Sequence, residues 1–182
     1  MKTKDNFYII TGGPGVGKTT LLNELESRGY NCVPEVARNI IKEQIKSGGN
    51  ALPWGDTRQY SDLMLSCSIN DFIRLSDKED IYIFDRGIPD TYGYEVLMHF
   101  EMDEILKSAV EQYRYNMTVF ILPPWREIYE TDNERKQDFQ TAIDTYQIMI
   151  KIYKELGYNP VEVPLLPIKE RADFVLEILN PK

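Results

Sequence analysis

The sequence is poor in residues that bind metals or form covalent cross-links. Its 182 residues include only two cysteines, Cys32 and Cys67, and one histidine, His99. The cysteines are far apart and form neither a CxxC pair nor a zinc-like pattern, which argues against a disulfide framework or a zinc site. We expect two reduced thiols. A single histidine near a helix start is more often structural than catalytic.

Long apolar runs and an excess of positive charge are also absent. The first residues, MKTKDNFYIITGG, contain no stretch long enough for a signal peptide or a membrane span, so we expect a cytoplasmic protein without a membrane partner. Acidic residues outnumber basic residues by 29 to 21, the net charge is −8 and the pI is near 4.8. This charge opposes nucleic-acid binding and favours a small substrate.

What the sequence does contain fits one globular domain over residues 1–182. Apolar residues make up 42% and charged residues 27%, so the chain can bury a core. Short apolar runs alternate with longer segments of helical period, which predicts an α/β fold with a five-stranded parallel sheet. The predicted strands are residues 7–11, 31–34, 81–85, 118–122 and 160–163. The predicted helices are residues 18–28, 36–47, 57–76, 102–115, 133–156 and 169–179.

Two segments are predicted to be long loops. Residues 48–56 place turn residues around Trp54, and residues 86–100 follow the third predicted strand. Loops of this kind often act as lids or substrate clamps. We interpret Trp54 as an aromatic that fixes its loop to the domain rather than one that stacks on a substrate base.

Residues 12–19 read GGPGVGKT and satisfy the motif G-x-x-x-x-G-K-[ST] between a predicted strand and a predicted helix. Glycines let successive amides turn inward around phosphate, Lys18 adds a mobile charge, and Thr19 offers a hydroxyl to Mg²⁺. The motif predicts a phosphate-binding loop (P-loop) that binds ATP, or another nucleoside triphosphate, with Mg²⁺. The predicted nucleotide-binding residues are Gly12, Gly13, Pro14, Gly15, Val16, Gly17, Lys18, Thr19 and Thr20.

The third predicted strand ends in a carboxylate, Asp85. Because parallel strands open their carboxyl ends onto one edge of the sheet, we expect Asp85 near Thr19, where both bind the metal. Capping of the following turn is the alternative role for Asp85. Arg86 comes next. We predict that it contacts the substrate or the transferring phosphate, the alternative being an ordinary surface arginine.

Three segments give the sequence a family resemblance: VPEVAR at residues 33–38, FDRG at residues 84–87, and ILPPWREIYETDNERK from residue 121. They make the chain similar to P-loop kinases and, more narrowly, to the NadR-like AAA-domain family, which is related to ribosylnicotinamide kinases. The resemblance implies a three-layer α/β/α nucleotide-kinase-like fold with strand order 2-3-1-4-5. It also implies a lid at about residues 123–135 and a substrate pocket over the second and third strands.

The resemblance to nucleoside kinases also implies a role for Glu35, as the base or as the acid that binds the acceptor hydroxyl. The residues alone leave a second reading open, because Pro34 and Glu35 suit the first turn of a helix. Arg38 either clamps an anionic substrate or pairs with Glu35, and we favour the pairing. Deoxynucleoside kinases carry Glu-Arg-Ser where this chain has Asp-Arg-Gly at residues 85–87, so nucleoside and nucleotide acceptors both stay open.

Kinases bring arginines from a mobile segment onto the transferring phosphoryl group. Arg126 and Arg135, which flank the polar stretch at residues 127–133, are the candidates, and the alternative for both is the solvated start of a charged helix. The predicted catalytic residues are thus Lys18, Glu35, Asp85, Arg86, Arg126 and Arg135.

Two classes of function are compatible with these features. The leading hypothesis is an ATP- and Mg²⁺-dependent kinase acting on a small hydroxylated or phosphorylated acceptor, such as a nucleoside-like metabolite. The other is a nucleotide-binding switch or NTPase module with slow hydrolysis and no acceptor. The sequence leaves the preferred triphosphate and the oligomeric state open.

Overall fold

Strands and helices alternate along the chain. The computed structural model describes residues 2–129 and 139–180. The strands are β1 (Lys2–Thr3), β2 (Phe7–Gly12), β3 (Asn31–Val33), β4 (Tyr82–Asp85), β5 (Tyr113–Arg114), β6 (Thr118–Leu122) and β7 (Asn159–Glu162). The helices are α1 (Lys18–Ser27), α2 (Val36–Ser47), α3 (Thr57–Leu75), α4 (Ile88–Leu97), α5 (Glu104–Gln112), α6 (Phe139–Glu155) and α7 (Ile168–Leu179). A short 3-10 helix covers Arg126–Ile128.

The main sheet consists of five parallel strands in the order β3-β4-β2-β6-β7. When the five predicted strands are numbered along the chain, this is the order 2-3-1-4-5, so the predicted three-layer α/β/α kinase-like fold is confirmed. The carboxyl ends of β2, β3 and β4 open onto one edge of the sheet. The P-loop follows β2, Glu35 follows β3, and Asp85 ends β4. All three therefore lie at that edge.

Apolar side chains cover both faces of the sheet. Ile9 of β2 packs on one face in a cluster with Phe72 of α3. Its neighbour Ile10 packs on the other face with Leu21 of α1 and Val175 of α7. Successive residues of a strand point to opposite faces, and both isoleucines are fully buried. Burial on two faces is the reason that the strands of a parallel sheet read as continuous apolar runs.

A helix, α4, occupies most of the segment predicted to be a loop at residues 86–100. It begins after Gly87, with Pro89 in its first turn and Asp90 accepting a hydrogen bond from the Gly87 N–H at 2.8 Å. The segment was predicted to be a loop because it follows the third predicted strand, but Gly87 and Pro89 suit the start of a helix. Gly93 allows close packing, since a Cβ there would lie 2.7 Å from the sulfur of Met149 in α6.

Other differences are smaller. The predicted helix at residues 102–115 ends at Gln112 because β5 follows and pairs with β1. The predicted helix at residues 133–156 is seen as α6, and residues 133–138 lie outside the described residues. Trp54 does not fix its loop, which was the wrong interpretation: it is 66% exposed, and the buried side chains of Ala51 and Leu52 hold the loop instead.

Both cysteines are free thiols, as predicted. Burial raises the pKa of Cys32 to about 12, and it also raises the pKa of Cys67, so neither thiol is activated as a nucleophile. Over the part of the chain that the structure describes, no helix has the length and apolar character needed to cross a membrane.

Candidate active site

The loop between β2 and α1 turns through glycines in the left-handed region. Gly15 and Gly17 have φ angles of 72° and 85°, which residues with a Cβ rarely adopt. Gly17 is the N-cap of α1, so the first unbonded amides of this helix follow directly after it. Inward-turned amides at the positive end of a helix dipole suit a phosphate group.

A cavity of about 240 Å³ lies over this loop, and we call it the P-loop cavity. Its lining residues are Gly15, Val16, Gly17, Lys18, Thr19, Thr20 and Arg38. Gly12 and Gly13, also predicted as nucleotide-binding residues, pack closely against neighbouring backbone, and their nucleotide-binding role stays a prediction. A Cβ on Gly12 would lie 2.7 Å from the carbonyl oxygen of Leu122, and one on Gly13 would lie 2.6 Å from that of Ala142. The loop is therefore pressed against β6 and α6.

Lys18 is a buried cation in the wall of this cavity. Its side chain is 9% exposed, and its Nζ donates to the carbonyl oxygen of Gly13 at 3.3 Å. Burial lowers the pKa of Lys18 and Arg86 lowers it further, whereas Asp85 and Glu35 raise it. An ammonium group has three donors. Since one of them makes a single long hydrogen bond, the others are suited to an anionic ligand.

Asp85 ends β4 with a carboxylate that the protein leaves partly unsatisfied. The residue is 7% exposed, and its Oδ1 has no hydrogen-bond partner among the described residues. Burial raises the pKa of Asp85, and Lys18 opposes this shift. A buried polar atom without a partner costs free energy, which a bound cation would relieve.

Asp85 and Thr19 carry oxygen atoms of the kind that binds Mg²⁺. Mg²⁺ prefers oxygen ligands and is typically bound through one or two protein groups, substrate phosphates and water. Asp85 offers its unpartnered oxygen, and Thr19 offers a hydroxyl in the wall of the P-loop cavity. Within residues 2–129 and 139–180 no group of three or more His, Cys, Asp or Glu side chains is arranged to hold a metal without such help.

Arg86 lies between two carboxylates. Its Nε donates to Glu35 Oε1 at 2.7 Å, and its Nη1 donates to Asp90 Oδ1 at 3.1 Å. Arg86 has a φ of 71°, which is strained for a residue with a Cβ and persists only where surrounding contacts fix it. Glu35 occupies the N-cap position of α2 but makes no capping hydrogen bond. Helix capping therefore does not account for this carboxylate.

Electrostatic interactions keep both members of the Glu35–Arg86 pair charged. Burial alone would raise the pKa of Glu35, but Arg86 and Lys18 lower it to about 2. Burial alone would lower the pKa of Arg86, but Glu35 and Asp90 raise it above its usual range. The Nε of Arg38 lies 3.7 Å from Glu35 Oε2, so the pairing that the sequence favoured is present. Arg38 also lines the P-loop cavity, so the Glu35–Arg86 pair lies next to that cavity.

Asp90 is a residue beside the site that sequence reasoning missed. It is 5% exposed and accepts hydrogen bonds from Thr11, Arg86, Gly87 and Tyr153. A usable signal was present, since Pro89 and Asp90, which follow Gly87 and Ile88, are typical of the first turn of a helix. That reading would have placed Asp90 one helical turn from Arg86.

Arg171 is a second residue that sequence reasoning missed. From the first turn of α7 its Nη2 donates to the carbonyl oxygen of Val16, in the P-loop, at 3.2 Å. It is 3% exposed, its guanidinium lies 5.8 Å from the ring of Trp125, and its Nε has no hydrogen-bond partner in the described parts of the chain. No local pattern signals this contact, because the two residues are 155 positions apart.

The segment after β6 lies over the P-loop, but it does not bring the predicted arginine into the cavity. A Cβ on Gly15 would lie 2.6 Å from the ring of Tyr129, and one on Gly17 would lie 3.2 Å from Ile128. Arg126 is exposed, and its guanidinium lies 4.4 Å from the ring of Phe139 rather than in the wall of the cavity. Arg135 and the rest of the predicted lid beyond residue 129 lie outside the described residues.

Comparisons with known proteins extend these findings. A family model described as an AAA domain matches residues 7–171. No curated protein matches the sequence. The fold is similar to that of a NadR protein crystallised in complex with NR, with a TM-score of 0.73 and 16% sequence identity. The match covers 97% of this chain and 51% of that protein, so the chain spans about half the length of this relative.

Two further solved structures share the fold. Shikimate kinase from Acinetobacter baumannii, in complex with shikimate, matches with a TM-score of 0.56 and 16% identity, over 98% of this chain and 93% of the other. Thymidylate kinase from Ehrlichia chaffeensis matches with a TM-score of 0.64 and 15% identity, over 95% of this chain and 97% of the other. At such low identity the likeness concerns the fold.

Proposed function

The chain belongs to the AAA-domain family that matches residues 7–171, and from this premise we propose that it is a Mg²⁺-dependent P-loop kinase. In this proposal it transfers the γ-phosphoryl group of ATP, or of another nucleoside triphosphate, to a hydroxyl group of a small nucleoside-like metabolite. One observation carries the proposal: the Glu35–Arg86 ion pair lies within electrostatic reach of the buried Lys18 of the P-loop. A pair so placed gives the phosphate site a neighbouring group that can bind an acceptor.

On the donor side, the amides of residues 15–20 and the ammonium of Lys18 bind the phosphates. Thr19 and Asp85 would hold Mg²⁺, which would neutralise negative charge on the donor. Positioning and charge neutralisation supply most of the catalysis in phosphoryl transfer, because the transition state is loose. The predicted contributions of Arg126 and Arg135 stay predictions.

On the acceptor side, Glu35 orients the hydroxyl that attacks. As the acceptor oxygen bonds to the γ-phosphorus, the bond to the bridging oxygen breaks, the nucleoside diphosphate leaves, and the hydroxyl proton passes to the Glu35 carboxylate. Because Arg86 keeps the pKa of Glu35 at about 2, this carboxylate is a weak base. Its main contribution is therefore to align the hydroxyl, with proton transfer following late.

The charge balance around the site favours an uncharged acceptor over a phosphorylated one. Three positive and three negative side chains interact around the site. The cations are Lys18, Arg38 and Arg86, and the carboxylates are Glu35, Asp85 and Asp90. The donor phosphates already engage Lys18. Arg86 is engaged by two carboxylates, so a second phosphate would meet more negative charge than free positive charge.

The test combines calorimetry with a transfer assay. Titration of the protein with MgATP should give uptake that Lys18→Ala weakens by about 100-fold or more, because a buried charge-assisted contact is lost. Lys151→Ala is the matched control, since Lys151 is exposed and pairs with Glu155 on α6. Incubation with MgATP and a pool of nucleosides, nucleotides and vitamins should then yield an acceptor heavier by one phosphoryl group.

Glu35→Gln separates the kinase from the nucleotide switch. A kinase is expected to lose transfer in this variant by about 100-fold while it keeps nucleotide binding. Unchanged transfer would remove Glu35 from the mechanism. MgATP uptake without any phosphorylated product from the pool, together with slow release of phosphate, would favour the switch.

A further inference from the structure

The carboxylate of Asp90 is saturated with hydrogen-bond donors. Its Oδ1 accepts from the hydroxyl of Thr11 and from Arg86 Nη1, the latter at 3.1 Å. Its Oδ2 accepts from the Gly87 N–H at 2.8 Å and from the hydroxyl of Tyr153 at 2.5 Å. A carboxylate has about four lone-pair sites, so all of them are used.

These donors come from three parts of the fold that meet at the site. Thr11 precedes the P-loop in β2, Arg86 and Gly87 join β4 to α4, and Tyr153 lies on α6. α6 also contacts the P-loop directly, at Gly13. Asp90 therefore connects the phosphate-binding loop, the strained turn at Arg86 and the helix that supports both.

Helix capping or core packing alone would not need this arrangement. A capping aspartate needs only the Gly87 N–H, and a core hydrogen bond needs only Tyr153 or Thr11. The bond to Arg86 closes a ring over residues 86–90 around a residue with a φ of 71°. In that ring the guanidinium is held with its Nε toward Glu35.

We propose that Asp90 is the positioning residue of the site: it fixes the Arg86 guanidinium so that Arg86 holds the Glu35 carboxylate in one orientation. The consequence for phosphoryl transfer rests on the proposed function, whereas the positioning of Arg86 does not.

Asparagine at this position would break the arrangement with almost no change of shape. Its amide replaces one acceptor oxygen by an NH₂ donor, which would face either Arg86 or the Gly87 N–H. Neither group can accept a hydrogen bond, whereas the hydroxyls of Thr11 and Tyr153 can. Asp90→Asn therefore loses the charge that pairs with Arg86 whichever way the amide turns.

The first experiment observes Arg86 itself and needs no substrate. The side-chain Nε–H signal of Arg86, assigned by its loss in Arg86→Lys, is followed by ¹⁵N NMR, and its exchange with solvent is measured. Asp90→Asn should raise the exchange rate by about tenfold or more, because the guanidinium loses its charged partner at Nη1 and is then held by Glu35 without it. Tyr153→Phe is the matched control: it removes one donor from Oδ2, leaves the Arg86 contact, and should change the rate less than about twofold.

Unchanged exchange in Asp90→Asn, or equal acceleration in Tyr153→Phe, would overturn the proposal. If Asp90→Asn does not fold, Asp90→Glu keeps the charge and displaces it by one methylene. Accelerated exchange is expected there too, and unchanged exchange would equally overturn the proposal.

The second experiment measures transfer to whichever member of the acceptor pool is phosphorylated. Asp90→Asn should lower kcat by about tenfold or more and leave the calorimetric Kd for MgATP within about twofold, since misplacement of a catalytic group affects the transition state. Tyr153→Phe should retain kcat even though it loses stability. Equal loss of kcat in the two variants would mean a merely structural role. If the wild-type protein phosphorylates nothing, the proposed function fails and the NMR result still decides the role of Asp90.

Discussion

Buried cations near the P-loop differ in whether carboxylates surround them, and this determines how strongly each one can attract an anionic ligand. Lys18 and Arg86 both interact with carboxylates, which offset the cost of burying their charge. Arg171 lies beside the P-loop, and burial lowers its pKa, with no carboxylate among the described residues opposing the shift. A buried guanidinium whose charge is not offset by a carboxylate attracts a nearby anion strongly. The donor phosphates are proposed to bind at the P-loop, next to this guanidinium.

Replacing Arg171 by methionine should therefore weaken nucleotide binding. We expect the calorimetric Kd for MgATP to rise by about tenfold, because a nearby positive charge and the hydrogen bond to Val16 are both lost. Arg28→Met is the control: Arg28 also joins α1 to α7, through Asp173, but it is partly exposed and its ion pairs should contribute little. Equal effects of the two substitutions would show that Arg171 acts only through helix packing.

The low pKa of Glu35 makes a prediction about acid stability. The pKa is about 2 in the fold against an ordinary value of 4.5, so Glu35 contributes stability that is fully present above pH 4.5 and is lost as the pH falls toward 2. The free energy of unfolding of the wild-type protein should thus exceed that of Glu35→Gln by a constant amount from pH 7 to about pH 5. Below about pH 4.5 the difference should shrink.

Urea unfolding at a series of pH values measures this difference. Glu104→Gln serves as the reference, because Glu104 is exposed and its pair with Lys107 lies on the surface. A difference that grows on acidification would contradict the assigned ion pair between Glu35 and Arg86.

At the scale of the elements, helix starts depend on a few capping groups. α3 begins after Asp56, whose side chain accepts a hydrogen bond from the Gln59 N–H at 2.9 Å. α5 begins after Asp103, which accepts from the N–H groups of Ile105 and Leu106. Each cap satisfies amides that the helix cannot bond itself.

Asp56→Ala should destabilise the protein by about 1 kcal/mol, the usual effect of removing an N-cap. Asp62→Ala is the control, since Asp62 is an exposed residue inside the same helix. Thermal or urea unfolding of the two variants provides the measurement. A larger loss in Asp62→Ala than in Asp56→Ala would contradict the assignment of the cap.

The elements also show how far sequence reasoning extends. The inner strands β2, β4 and β6 were predictable because burial on both faces leaves continuous apolar runs. The P-loop was predictable from its glycine-lysine motif. α4 was missed because its capping residues resemble those of a turn. β1 and β5 have two residues each, too few for a pattern to register. Asp90 was missed together with the start of α4, whereas Arg171 was missed because its contact with Val16 comes from a distant part of the chain.

At the scale of the whole molecule, the net charge of −8 contrasts with the local charge of the site. The topology of the sheet explains the difference. Parallel strands β2, β3 and β4 end at the same edge, so residues that follow or end them lie close together although they are far apart in the sequence. These residues are Lys18, Glu35, Asp85 and Arg86. An acidic surface can then coexist with a small group of cations at the P-loop cavity. The strand order, which comes from the resemblance to kinases, is the step that composition and periodicity do not supply.

The pairing of β1 with β5 fastens the beginning of the chain to the opposite edge of the sheet. The N–H of Lys4 donates to the carbonyl oxygen of Arg114, and Asn116 donates to that of Phe7, where β2 begins. The six residues of β2 separate this edge from the P-loop by roughly 20 Å. A biotin or an affinity handle placed ahead of Lys2 would therefore orient every molecule on a sensor chip with its nucleotide pocket toward the flowing solution.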